Sequence, residues 1–256
     1  MADSGLQLRT RVNADSTLTL WLEDTPVPKP GPDEVLVRVE AAPINPSDLA
    51  LLFGPADMST ARVSGTPERP VVTADIPAQA MGIVQARVDQ ALPAGNEGAG
   101  QVVEAGSSAA AQALLGKTVG VFGGEMFGQY RCVNVQACLV LNDDTSAEEG
   151  ASCFVNPMTA LGMVETLHLE QHGALVHTAA ASNLGQMLNR LCIADGIPLV
   201  NIVRKEEQEA LLRSQDAKYV VNSEAGDFRQ QLLAALDATD ATLAFDAIGG
   251  GKLGST

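Results

Sequence analysis

The sequence predicts an α/β protein in two parts, a barrel-like domain of short, mostly antiparallel strands and then a domain of parallel strands alternating with helices. Three observations predict this. Up to about Asp144 the chain is rich in Gly, Pro and short β-branched runs of alternating polarity, such as "STLTLWLED", "DEVLVRVEAAPIN", "GAGQVVEAG", "KTVGVFGG" and "YRCVNV". The segment "SAEEGASCFVNPMTALGMVETLHL" then changes to a helical period. From there on, apolar strands and amphipathic helices take turns, the pattern of a βαβ series on a parallel sheet. The change of texture divides the chain into domains 1–144 and 145–256.

The elements follow in order. Each N-terminal strand is bounded by turn residues, and its alternation turns one face inward. Between "NPSDL" and "GNEGAG", the spread of Pro, Gly and Ser predicts an extended loop, long enough in a compact domain to act as a lid or pocket wall. Ser146 can cap a helix whose first turn carries Glu148 and Glu149, both well placed against the helix dipole. Strands are then expected at "ALVHTAA", "PLVNIV", "KYVVN" and "TLAFDAI", with helices from Asn183, from about Glu206 and from about Asp227.

Composition removes several classes of function. A chain of 256 residues, 46% of them hydrophobic, can bury a sizeable core. Its 16 Lys and Arg stand against 31 Asp and Glu, and a net charge of −15 repels both phosphate backbones and anionic lipid. Nucleic acid and membrane partners are therefore not expected. With neither a cleavable leader nor an apolar span of bilayer length, the chain reads as cytoplasmic. Cys132, Cys138, Cys153 and Cys192 are unevenly spaced without a Cys-x-x-Cys pair, which predicts reduced, mostly buried thiols rather than disulfides or a zinc knuckle.

The stretch "ALVHTAAASNLGQMLNRLC", Ala174 to Cys192, has the layout of a dinucleotide-binding turn with one of its three glycines. A phosphate at a helix N-terminus needs free N–H groups and small side chains where the backbone meets it. Ala179, Ala180, Ala181 and Ser182 are small, with Ala180 and Ser182 in the places of the first two glycines. Asn183 and Leu184 follow, and Gly185 falls where helix and strand pack closely. A plain alanine-rich strand–turn–helix would look much the same. The next strand ends in Arg204 and Lys205, at the point where NAD-specific folds place an acid and NADP sites favour arginine. Two cations suit a 2′-phosphate, and the alternative is a solvated charge cluster opening a helix.

"AAPINPSDL", "GNEGAGQVVEAG", "GKTVGVFG", "GQYRCVNV", "NPMTALGMVE" and "VHTAAASNLGQ" together resemble the medium-chain dehydrogenase/reductase superfamily, in order and spacing, and within it the zinc-independent quinone reductase and enoyl reductase branch. The resemblance covers nearly all the chain except the insertion before "GNEGAG". It implies a GroES-like catalytic domain, then a Rossmann domain, with NADPH held in the cleft between them and a hydride passed to a quinone or other activated double bond. It further implies that Asn45 and Asp48 line the catalytic pocket, that Thr159 lies near the nicotinamide, and that the protein is a homo-oligomer, a dimer, acting on a small molecule. The plain reading of "NPSD" is an Asx-type turn.

Departures from the family qualify what it implies. Asn96 stands where zinc-dependent members carry a histidine ligand, and asparagine is a poor zinc ligand, so no catalytic metal is expected. His168, Glu170, His172 and His177 lie close enough in sequence to suggest a metal site, but histidines near a helix C-terminus need no metal to explain them. Enoyl reductases of this type carry a tyrosine shortly after "NPSD" as a candidate proton donor, and "LLFGPADM" here has none, which favours quinones or other activated double bonds over enoyl thioesters. Only four strands of the parallel sheet are present where the full doubly wound sheet has six, so the chain reads as truncated after Thr256. A non-catalytic remnant or interaction protein with the same fold is the competing expectation.

Overall fold

In the computed structural model, which describes residues 3–249, the chain divides into two units, Met1–Val155 and Asn156–Thr256. In the first unit, β1 (Ser4–Val12) and β2 (Thr17–Pro26) form a hairpin in register from Ser4 opposite Pro26 to Val12 opposite Leu18. After them come β3 (Glu34–Ala41), α1 (Pro46–Leu52), β4 (Asp57–Thr66), β5 (Arg69–Asp75), α2 (Met81–Val84) and β6 (Leu92–Pro93). The unit continues with β7 (Glu97–Ala105), α3 (Ala109–Leu114), β8 (Thr118–Phe122), β9 (Tyr130–Asn134), β10 (Cys138–Val140) and α4 (Ala147–Gly150). Two antiparallel sheets result, in the orders β4-β5-β2-β1-β6 and β10-β8-β7-β3-β9, and a bridge between Gln7 and Gly128 stitches one to the other. Alternation does what the sequence predicts. Val12, Leu18 and Leu20 fill one interior with Leu52 and Ile76, while Val35, Val37, Val102, Val119 and Val121 fill the other.

The second unit begins with α5 (Val155–Leu169), whose first residue closes the first unit. It continues through β11 (Leu175–His177), α6 (Asn183–Asp195), β12 (Leu199–Val203), α7 (Glu206–Ser214), β13 (Tyr219–Asn222), α8 (Phe228–Thr239) and β14 (Leu243–Phe245). The strands pair in parallel in the order β13-β12-β11-β14. Helices cover both faces. Ala160, Val164 and Leu167 of α5 and Leu188 and Cys192 of α6 pack with Leu175 and Leu199, and Leu232 and Ala235 of α8 pack with Val176, Val200 and Ile202. "LVNIV" is buried at every position, as a strand covered on both sides is, and its one polar residue, Asn201, donates to Asn189 Oδ1 at 3.3 Å. The expected βαβ series and helix starts are present.

Two expectations are corrected. The segment expected to be an extended loop instead holds a hairpin, β4 with β5, that widens the first sheet by pairing Thr73 with Thr19 and Val71 with Trp21, and then short helical turns that include α2. Its outer strand is exposed along almost its whole length, so no buried face imposes an alternation that the sequence could display. Cross-strand ladders and ion pairs hold it, Arg62 to Asp75 at 2.8 Å and Arg69 to Asp24 at 3.0 Å. The thiols are unpaired, but only Cys192 is buried, and Cys132, Cys138 and Cys153 are half-buried. Ser146 caps α4 as expected, its Oγ accepting the Glu149 N–H at 3.2 Å while the Glu149 carboxylate accepts the Ser146 N–H at 2.9 Å. This helix packs on β7, so the helical texture begins inside the first unit.

Candidate functional site

At the C-terminal ends of β11 and β12 a cavity of about 320 Å³ opens, lined by Ala179, Ala180, Ala181, Ser182, Ile202, Val203, Arg204, Gln208, Ser223 and Ile248. The small-residue turn and the residue ending the second strand therefore meet in one place. Ligands of open α/β sheets bind at this end of the strands. The turn is built for close approach. Gly185 is buried, and a Cβ there would collide with the Ala180 carbonyl oxygen, so the first turn of α6 can lie against the strand end only as glycine. Ser182 is the N-cap, its Oγ accepting the Gly185 N–H at 3.1 Å, which leaves the N–H groups of Asn183 and Leu184 as the donors of the helix start. Ala179 sits at φ +52°, a left-handed conformation that alanine adopts at a cost.

Across the cavity, Lys205 is the N-cap of α7, and Gln208 reaches back to accept the N–H of Arg204 at 3.0 Å and of Lys205 at 3.2 Å. Arg204 lines the cavity and Lys205 does not. Asn183, Leu184 and Gly185 follow the lining turn without lining the cavity themselves, and Thr159 is exposed on α5, outside the lining. The far wall is held by Asp246. Its Oδ1 accepts from Thr178 Oγ1 at 2.8 Å and from the N–H groups of Ile248 and Gly249 at 3.0 and 3.1 Å, and these bonds hold its carboxyl below the usual carboxylate range. Sequence reasoning missed Gln208, Ser223 and Ile248. Only Gln208 carries a signal, a glutamine three residues after a helix N-cap.

In the first unit, Asn45 and Asp48 are 3% and 1% exposed and belong to a buried polar network around Glu97, which is wholly buried. Asn45 Nδ2 donates to Glu97 Oε1 at 3.0 Å, and the N–H groups of Phe154 and Val155 donate to Glu97 Oε2 at 2.9 Å each. Asp48 accepts from the N–H of Asn45 and of Asn96, both at 2.9 Å. Asn96 Nδ2 donates to Ser47 Oγ at 2.8 Å. "NPSD" starts α1, and its buried Asn45 and Asp48 side chains tie that start to Glu97 of β7 and to the Asn96 N–H just before it.

The histidines separate. His168 is in the last turn of α5, and His172, beyond its end, contacts Thr242 Oγ1 at 2.7 Å and Glu170 at 3.5 Å. His177 is buried in β11, where loss of water lowers its pKa. No set of three or more His, Cys, Asp or Glu gathers as a metal site among the described residues.

No protein-family model matches the chain. Among curated proteins it is similar to mitochondrial enoyl-[acyl-carrier-protein] reductases. It is 26% identical to one from Caenorhabditis elegans over 204 residues, 78% of this chain and 50% of the relative, and 25% identical to one from Bos taurus over 257 residues, 93% and 58% respectively. The chain thus spans about half the length of the curated relatives it matches. Among solved structures it is similar to a protein from Mesorhizobium loti assigned as an NADPH:quinone reductase, with 28% identity and a TM-score of 0.72 over 98% of this chain and 69% of that one. No helix among the described residues is long and apolar enough to cross a membrane.

Proposed function

We propose that this chain, which belongs to the medium-chain dehydrogenase/reductase superfamily by its two-part fold and its quinone and enoyl reductase neighbours, is the cofactor-binding and catalytic portion of a zinc-independent, NADPH-dependent reductase of quinones or other activated double bonds. The single observation that carries the cofactor assignment is the cavity in which Ala179–Ser182 at the start of α6 face Arg204 at the end of β12. The fit is physical. Small side chains, a glycine that admits no Cβ and unpaired N–H groups suit a pyrophosphate, and an arginine across the cavity suits a 2′-phosphate.

When bound, NADPH supplies the hydride, and the protein's part is binding, orientation and electrostatics. Ala180, Ala181, Ser182, Asn183 and Leu184 would receive the pyrophosphate, Gly185 would set how closely α6 approaches it, Arg204 in the lining and Lys205 beside it would serve the adenosine end, and Thr159 would serve the nicotinamide. Asn45 and Asp48 act as positioning residues, because their polar atoms are spent on Glu97 and on backbone N–H groups. The zinc-independent assignment rests on donor chemistry. Asn96 presents its amide nitrogen to Ser47, and Glu97 already accepts three hydrogen bonds. About one tightly bound zinc per chain by elemental analysis overturns it.

Titration calorimetry tests the cofactor assignment. NADPH is expected to bind more tightly than NADH, on the order of a hundredfold if two charged hydrogen bonds are made to the phosphate. Replacing Arg204 and Lys205 with alanine should weaken NADPH and leave NADH nearly unchanged. Equal affinity of the parent chain for the two cofactors removes both cations from the site. Reduction of a benzoquinone in preference to an enoyl thioester tests the substrate assignment.

A further inference from the structure

We propose that Gln208 discriminates between a phosphorylated and an unphosphorylated adenosine ribose in the cavity lined by Arg204, an assignment that rests on the cofactor reading above. The carboxamide oxygen of Gln208 accepts two backbone N–H groups, from Arg204 at 3.0 Å and Lys205 at 3.2 Å. Two donors converging on one atom identify that atom as the oxygen, so the other end of the amide is the NH2 group with its two donors. Those backbone N–H groups are withdrawn from any ligand. The amide nitrogen makes no hydrogen bond among the described residues, and Gln208 lines the cavity.

Charge alone does not decide selectivity at this corner. Glu206, Glu207 and Glu209 stand in the first turn of α7 directly after the two cations, Glu209 being paired with Arg213 at 2.8 Å, and of these charged residues only Arg204 lines the cavity. A phosphate placed there needs donors with direction, and the structure offers the Arg204 guanidinium and the Gln208 amide. A ribose carrying free 2′- and 3′-hydroxyls needs an acceptor instead, the part an acid plays in NAD sites. Gln208→Glu is therefore a clean exchange. The carboxylate still accepts from Arg204 and Lys205, so the start of α7 is retained, while the donor facing the cavity becomes a negative oxygen.

The experiment is calorimetric titration of the parent chain, Gln208→Glu and Gln208→Met with NADPH, NADH, adenosine 2′,5′-bisphosphate and adenosine 5′-monophosphate, alongside thermal melts. The parent is expected to prefer the bisphosphate to the monophosphate by about tenfold or more. Gln208→Glu should abolish that preference with little change in monophosphate affinity or melting temperature. Gln208→Met, which removes the donor without adding charge, should reduce it about threefold. A preference within about twofold of the parent's in the folded variants overturns the assignment. So does a parent that binds NADPH and NADH yet prefers neither fragment, an outcome that leaves the cofactor reading standing. A parent that binds none of the four compounds overturns the cofactor reading and this assignment with it.

Discussion

Single residues store the tension of the site. Ala179 is held left-handed at the head of the turn, and glycine would adopt that conformation freely. The relief is opposed by the greater freedom of glycine in the unfolded chain, so Ala179→Gly should stabilise by about 1 kcal/mol or less. A lower melting temperature in the variant would show that the alanine methyl contributes packing that outweighs its strain. His177 makes a sharper case. Both ring nitrogens are buried, and no bond to them meets hydrogen-bond geometry. Burial lowers the pKa, while the Phe245 backbone and the Asp246 carboxylate pull the other way. Unfolded, the ring titrates near its ordinary value of 6.5, so below that pH the unfolded chain binds a proton that the folded chain refuses. The stability contributed is complete above pH 6.5 and declines as pH falls below it, at up to about 1.4 kcal/mol per pH unit. Melting curves recorded between neutral and mildly acidic pH should show the decline in the parent and a shallower one in His177→Gln. Parallel declines in the two would remove His177 as the cause.

At the scale of elements, what was legible in the sequence depended on whether a face is buried. The strands "LVNIV" and "KYVVN" and the helices from Asn183 and Glu206 announce themselves because each presents apolar residues to a core. The turn from Ala179 to Ser182 was legible as a turn, because a polar cap follows an apolar strand and opens a helical period, but its use was not, since any alanine-rich strand–turn–helix reads the same way. The hairpin of β4 and β5 was not, because β4 buries nothing and its Pro, Gly and Ser mimic a loop. Nor was the Glu97 network, whose partners lie more than 50 residues away in the chain at Asn45, Phe154 and Val155. Two predictions belong here. Glu97→Ala removes the acceptor of three hydrogen bonds, one buried and two half-buried, and should cost about 2 kcal/mol or more. Denaturant unfolding checks this, and a loss well under 1 kcal/mol would mean that water replaces the carboxylate. Gly185→Ala sets a methyl against the Ala180 carbonyl, so it should push α6 off the strand end and sharply weaken NADPH binding. Unchanged affinity measured by calorimetry would dissociate this glycine from the site.

For the whole molecule, charge and apolar surface oppose each other. A net charge of −15 keeps copies apart at low salt, while Ile44, Leu161, Met158 and Leu169, each more than half exposed, favour association once that repulsion is screened. Light scattering should therefore report larger particles as salt is added, and a monodisperse monomer at every ionic strength would count against the homo-oligomer expected from the sequence. The order β13-β12-β11-β14 has a further consequence, this one in time. Among the described residues β14 is three residues long and has a strand on one side only, whereas β11 and β12, which carry the turn and Arg204, each have a strand on both sides. In deuterated solvent the amides of β14 should exchange first and those of β11 and β12 last. The strands that present the cavity would then still hold their protons after the edge beside them had exchanged.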